Sequence, residues 1–426
     1  NNDGYSDLTM VNETSDDLRI LLNDGTGDYN DFELVDMGAG STPSPNEGAD
    51  FDGDGEIDLA VCTAWDNELR VLMGDGEGSL SSMETYTTGD GARGLGVLDI
   101  DSDGNDDVLI ANRSSSNISI FKNDGLANFT GETLDLDPDG DGESGVAIAD
   151  ANNDGIMDVF IGYHGSQEIG LYLGDGVGGL SFSDKVAVFG EPWMIAAGDL
   201  NGDGFVDVAS ANSVGNNMVV NFGDGQGKLS SPVSYQYNTT RFPLAIDLGD
   251  LDGDGDLDIV TSNYTSTNFA VFENDGQGGF TLVKLLNSPE HASCAILHDR
   301  DNDGDLDISG TDEGDDVLLL FENDAPITNT IEQSEALSLS LSPNPFSEEL
   351  LLQYELKTAE SIDIAIYDIQ GKRLVNLFQG QQTSGLHFLR WNGADQNGQL
   401  LPEGLYVMML RTEQHSLAKK VLFSPK

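Results

Sequence analysis

The stretch DIDSDGNDDVLIAN, Asp99 to Asn112, joins an acidic turn to an apolar run, and its first nine residues follow the pattern D-x-[DN]-x-D-G-x-x-D. The same pattern begins at Asp50, Asp99, Asp150, Asp199, Asp250 and Asp299, at intervals of 49, 51, 49, 51 and 49 residues. Asn1, Asp3, Gly4 and Asp7 fit a further copy, one 51-residue step upstream of Asp50, that has lost its first position. Seven copies with several short strands apiece at this period are the signature of propeller blades rather than of a short-repeat solenoid.

Around Asp99, GVLDI reads as a first strand, DVLIAN as a second and NISIFKN as a third, and Phe129-Thr130 opens a fourth after the turn DGLAN. Equivalent turns recur as NDGTGDY, GDGEGSL, GDGVGGL, GDGQGKL and NDGQGGF, where Gly supplies the positive φ of tight hairpins. Each unit is therefore expected to be a four-stranded antiparallel meander. The first copy starts at a second strand and the last ends at a third, VLLLFEN, which gives 26 strands, two short of 28. An upstream segment is expected to supply the missing fourth and first strands, so that one blade is assembled from both ends and no long edge is left unpaired.

The 426 residues carry 76 Asp and Glu against 18 Lys and Arg, a net charge of −58 that excludes nucleic acid and anionic lipid as partners. No apolar run approaches the ~18–20 residues needed to cross a bilayer, so no transmembrane segment is expected. Residues 1–334 hold 66 acidic and 10 basic side chains, whereas 335–426 hold 10 and 8, which marks two differently built regions. The division expected is a seven-bladed β-propeller over 1–324, a linker over 325–337 and a second all-β domain over 338–426. Cys62 and Cys294 both sit in apolar strand-like segments and are expected to be buried free thiols.

Carboxylates at loop positions one, three and five, with Gly at six, let a turn fold back so that alternate side chains converge on one point. Hard divalent cations take six to eight oxygens at ~2.3–2.6 Å, which suits Ca²⁺ better than Mg²⁺ or Zn²⁺. Position seven is Glu56, Asn105, Ile156, Phe205, Asp256 and Asp305, an indifference to side chain that fits a backbone carbonyl ligand. Position nine is always Asp. The loop is not an EF-hand, because position twelve, which should be a bidentate Glu, is Val61, Ile110, Ile161, Ser210, Thr261 and Gly310. A near-match from Asp137 to Gly142 falls off the period and reads as an acidic connection between blades.

These repeats resemble FG-GAP/VCBS repeats, the blades of integrin α-type propellers, over about residues 1–324. The resemblance implies that the acidic loop joins the first two strands of a blade and binds Ca²⁺, about one per blade and up to seven. Carried over residue by residue, it assigns metal ligation to Asp50, Asp52, Asp54 and Asp58; to Asp99, Asp101, Asp103 and Asp107; and to Asp150, Asn152, Asp154 and Asp158. The later copies contribute Asp199, Asn201, Asp203 and Asp207; Asp250, Asp252, Asp254 and Asp258; and Asp299, Asp301, Asp303 and Asp307. The truncated first copy contributes Asn1, Asp3 and Asp7. Seven Ca²⁺ would still leave the propeller strongly acidic, which suits either solubility in a salty medium or a cation-bridged contact to an anionic glycan.

Loops joining second to third strands, and those joining one blade to the next, fall on the face opposite the metal loops, and there the copies differ. Trp65, Arg113, Tyr163-His164 and Tyr264 lie in the first kind, and Arg93, Trp193, Arg241-Phe242 and His291 in the second. Aromatic and Arg side chains on variable loops over a rigid scaffold are candidate anchors for a glycan or protein ligand. His164 with Tyr163 and Arg241 is the one set that could serve a polysaccharide lyase or hydrolase, the alternative to non-catalytic binding; no GxSxG, HExxH or CxxC sequence is present. A passive spacer in a larger surface assembly is a third reading.

From Leu337 the text changes to alternating strands without acidic loops, about seven in 90 residues, which predicts a small Ig-like β-sandwich. Ser342-Pro343-Asn344-Pro345-Phe346, Ile366-Tyr367-Asp368, Gly371-Lys372, Trp391-Asn392-Gly393, Gly404-Leu405-Tyr406 and Lys419-Lys420 follow one another in an order that resembles the type A C-terminal sorting domain of type IX secretion cargo. That resemblance implies a Bacteroidota-type source, export through the type IX machinery by residues 338–426, and a secreted protein or one anchored at the outer cell surface.

Overall fold

The computed structural model describes residues 1–426 except 30, 138, 238, 315–316, 324–336, 343–345, 348, 357–359, 368–371, 395–398, 403, 413–415 and 425–426. The expected linker, apart from Leu337, lies outside the described residues, as do parts of the Pro343–Pro345 and Asp368–Gly371 motifs. The chain divides into two compact units, Asn1–Ile327 and Thr328–Lys426.

In the first unit the described strands form seven consecutive sheets, five of four strands and two, the first and last in the chain, of three. The third sheet is representative: Ala92–Leu98, Asp107–Asn112, Asn117–Asn123 and Phe129–Leu134 pair in chain order, all antiparallel. The meander and the strand count expected from the repeat are both present. In the five four-stranded sheets the second strands are buried from end to end, as in Asp58–Thr63, Asp107–Asn112 and Asp158–Tyr163, because each packs on neighbouring sheets with both faces. That explains why they read as unbroken apolar runs without alternation. Fourth strands such as Leu80–Thr87 are largely exposed. First strands pack against the first strands of the adjacent sheets and so form the inner wall. Cys62 is buried in this packing, but Cys294, on a first strand, is exposed, which corrects the expectation of two buried thiols.

One contact recurs between adjacent sheets. Where an Asn stands 16 residues after the position-nine Asp, its side-chain amide donates to the carbonyl of loop position two in the preceding sheet: Asn123 to Phe51 (2.8 Å), Asn274 to Leu200 (2.9 Å) and Asn323 to Leu251 (2.7 Å). Asn23 makes the same contact to Arg300 (2.7 Å), and this joins the first sheet to the last. Asn302 adds a bond to the Gly4 carbonyl at 2.9 Å, and the buried Arg300 guanidinium donates to the Gly27 carbonyl. The sheets thus meet end to end.

The second unit packs a three-stranded sheet (Leu337–Ser342, Leu350–Leu356, Gly385–Trp391) on a four-stranded one (Arg373–Gln382, Glu360–Tyr367, Gly404–Arg411, Ser416–Phe423). Every second residue of Leu350–Leu356 is buried, namely Leu350, Leu352, Tyr354 and Leu356, and these meet Ile362, Ile364, Met408 and Leu410 in one core. This is the sandwich that the period-two alternation predicts.

Candidate functional site

The acidic loops join first to second strands at one rim. In the second copy the position-one carboxylate of Asp50 accepts backbone N–H groups from Gly53 (2.8 Å), Asp54 (3.1 Å) and Gly55 (3.0 Å), which folds the chain around it. Asp52 Oδ1 accepts from Asp54 N–H at 3.1 Å, and Asp54 Oδ1 from Glu56 N–H at 2.9 Å. The same ladder of turns recurs at Asp99, Asp150, Asp199, Asp250 and Asp299. Position six needs Gly for its backbone and not for space. At Gly55, Gly104, Gly155, Gly204 and Gly255 φ lies between 84° and 100°, while a Cβ would meet nothing within 4 Å.

Position nine closes each loop. Asp58, Asp107, Asp158, Asp207, Asp258 and Asp307 are all at most 1% exposed. In the first five of these, one oxygen accepts the N–H of position two: Phe51, Ile100, Ala151, Leu200 and Leu251, at 2.9 to 3.1 Å. In all six the other oxygen accepts an N–H at the end of the third strand: Gly74, Asn123, Gly174, Gly223, Asn274 and Asn323, at 2.7 to 2.9 Å. Asp7 receives Asn23 N–H in the same way at 2.7 Å. Burial pushes the Asp107, Asp207 and Asp258 carboxyls up to about 6, against these hydrogen bonds and with the help of neighbouring carboxylates.

Carboxylate oxygens of Asp50, Asp52 and Asp58 lie within 4.8 Å of one another, as do those of Asp99, Asp101 and Asp107, of Asp250, Asp252 and Asp254, and of Asp299, Asp301 and Asp303. The copies at Asp150 and Asp199 place Asn152 and Asn201 at position three, so an amide oxygen replaces one carboxylate there. Such a set offers only hard oxygen donors, without nitrogen or sulfur, and it concentrates negative charge that a divalent cation would neutralise. The residues therefore fit Ca²⁺ or Mg²⁺ and do not fit a soft metal.

The opposite rim is different in every copy. Arg113 lies with its guanidinium carbon 4.2 Å from the Trp193 ring centroid, and an amino nitrogen 2.9 Å from the His164 ring. His164 meets Trp193 edge to face at 5.1 Å, and its Nε2 is 3.2 Å from Glu191 Oε2. Burial, with the Arg113 charge second, holds the His164 imidazole down at about 4, so it is neutral at pH 7. Two sheets further round, Tyr264 stacks on His291 at 4.3 Å with Phe242 beside it. Trp65 is 79% exposed, and Arg93 pairs with Glu13.

Several anchors expected from the sequence are thus gathered here, but the lyase set is not. Tyr163 is buried, and its hydroxyl is bonded to that of Tyr172, which removes it from the rim surface. Arg241 is exposed and forms no ion pair or hydrogen bond with His164 among the described residues. A cavity of about 580 Å³ lies instead among the first strands near the acidic loops, lined by Glu47, Ile57, Leu95, Val97, Asp106 and Ile148. Sequence reading missed Glu191, although it sits two residues before Trp193. It also missed Glu143, which is 2% exposed, has an oxygen with no partner and is pushed up to about 7 by burial. The signal for Glu143 is positional: Pro43, Ala92, Pro192, Pro243 and Ala292 begin the other first strands.

Comparison with known proteins bears on the fold and the family. Among solved structures, virginiamycin B lyase of Staphylococcus aureus matches with a TM-score of 0.54 at 10% identity, covering 75% of this chain and 92% of that one. A putative 6-phosphogluconolactonase of Bacteroides fragilis matches at 0.53 and 15% identity, covering 75% and 95%. A functionally unknown protein of Desulfotomaculum acetoxidans matches at 0.50 and 12%, covering 89% and 98%. At such identities these likenesses show the fold alone. No curated protein matches the chain. The C-terminal unit matches the FlgD Ig-like domain over residues 347–415. The FG-GAP-like repeat matches residues 1–61, 50–110, 99–161, 150–210 and 199–261, more than half of the chain, and the protein belongs to the FG-GAP-like repeat family.

Proposed function

We propose that the protein is a secreted or cell-surface propeller, stabilised by Ca²⁺, that binds a glycan or protein partner without turning it over. In this reading positions one, three, five and nine of each acidic loop hold the cation, with a backbone carbonyl at position seven. Neutralising each cluster keeps its carboxylates from forcing the turn open. The observation that carries the binding role is the contrast of the rims. One repeats the same loop in every copy, while the other differs from copy to copy and gathers Arg, His, Trp and Tyr side chains that are scarce in an acidic chain. A glycan array probed with the whole chain, with and without Ca²⁺, tests it: calcium-dependent retention on a defined class of glycan is expected, and an array blank under both conditions counts against a glycan partner.

The lyase or hydrolase alternative loses its proposed set, since Tyr163 is buried and Arg241 makes no bond to His164 among the described residues. For the C-terminal unit the sorting role rests on the ordered motifs of residues 338–426, and the Ig-like match is compatible with it. Removing residues 338–426 is expected to leave the propeller inside the producing cell. Normal export of the truncated chain would end that assignment.

A further inference from the structure

Ten basic side chains serve the repeat region, against 66 acidic ones. Six of them lie within ion-pair distance of a carboxylate, and three more are exposed. Arg113 is neither. It is partly buried, and among the described residues no carboxylate reaches it. In a region so rich in acids, a half-buried Arg that feels Glu191 only from beyond ion-pair distance keeps its fork available for an anion from outside. Its flat guanidinium is fixed on Trp193 and against His164, so the fork is aimed before any ligand binds. The nearest acid, Glu191, is held by the imidazole instead. Trp193 Nε1 is buried without an acceptor, a second donor left open at the same place.

The connection that carries Glu191 and Trp193 begins with Phe189, whose backbone is left-handed (φ 57) and whose side chain is 61% exposed. A bulky residue is strained there, and Gly40, at the same offset in the second copy (φ 82), is the natural occupant. A strained and exposed ring on the same connection as an unpaired donor is better explained by a ligand than by packing.

Resting on the reading that this rim is the ligand face, we propose that Arg113 receives the carboxylate of a uronic-acid unit in a glycan, with Trp193 Nε1–H as a second donor and the Phe189 ring against the sugar's apolar face. The calcium-loaded full chain is titrated calorimetrically with an oligogalacturonate, its methyl ester and a neutral glucan oligomer. The acid is expected to bind at least about tenfold more tightly than the ester, and Arg113→Lys, which keeps the charge but loses the fork, to give up about tenfold. Phe189→Gly is expected to weaken binding while the melting temperature stays level or rises, an outcome that a structural role for the ring would not give. Equal affinity for acid and ester, or an Arg113→Lys variant indistinguishable from the parent, overturns the proposal. If Trp193→Ala then still abolishes binding, the ligand-face reading survives; if neither substitution matters, that reading falls too. Absence of binding to all three sugars, or displacement of the acid by an equimolar acidic peptide, also overturns the uronate assignment.

Discussion

The two units of this chain solve the same problem, holding short strands together, by opposite means. The C-terminal sandwich relies on one continuous apolar core, in which Leu352, Ile364, Met408 and Phe423 are fully buried. The propeller spreads smaller apolar clusters between sheets and ties their rim with buried carboxylates that accept backbone N–H groups. A core of side chains needs nothing from solution, whereas a rim of clustered carboxylates leaves its charge for the solvent to balance. One unit should therefore depend on conditions to which the other is indifferent.

Chelation is the strongest way to break this comparison. On the proposed calcium reading, each loop whose Ca²⁺ is held at a hundredfold over its Kd gains ~2.7 kcal/mol, so stripping several should lower the propeller's melting temperature by about 10 °C or more. The sandwich transition should stay where it is, and calorimetry with EDTA and after re-addition of Ca²⁺ reads both. Next in size, Ile364→Ala should destabilise the sandwich by about 2–5 kcal/mol whether or not Ca²⁺ is present; a calcium-dependent loss would erase the distinction.

A pH series sharpens it. Glu143 titrates near 7 in the fold against an ordinary 4.5, so the folded state holds its proton more tightly and this stability, present below 4.5, is lost as pH rises through 7. Glu143→Gln should then stabilise the propeller by about 1–3 kcal/mol at pH 8 and hardly at pH 4.5, as read by urea unfolding at the two values. Smallest, Asn23→Ala should cost about 1–2 kcal/mol by leaving the Arg300 carbonyl unsatisfied. An equal cost for Asn128→Ala, an exposed turn residue that joins no sheets, would show that the closing contact is nothing special.

The meanders, the strand count and the acidic loops were legible because they are local: the hairpin glycines and the nine-residue motif recur in sequence as they do in space. Tyr163 was misread because a residue at a strand end can turn either to the rim or to the core, and the choice was made by Tyr172, nine residues away. Cys294 was misread for the related reason that a first strand has one face on the inner wall. The meeting of Arg113, His164 and Trp193 was visible only as three separate candidates, since it needs three sheets side by side.

The position-two peptide faces two ways: its N–H is held by its own sheet's Asp at position nine, and its carbonyl by an Asn whose own N–H sits on the next such Asp. From Asp307 this relay runs through Asn323, Leu251, Asp258, Asn274 and Leu200 to Asp207, and there it stops, because Gly223 stands where an Asn would continue it. Gly74 and Gly174 leave the same gap. The circle accordingly has a grain, with one long arc of wired sheets and seams where the wiring is cut, and local unfolding should tear along those seams before it spreads.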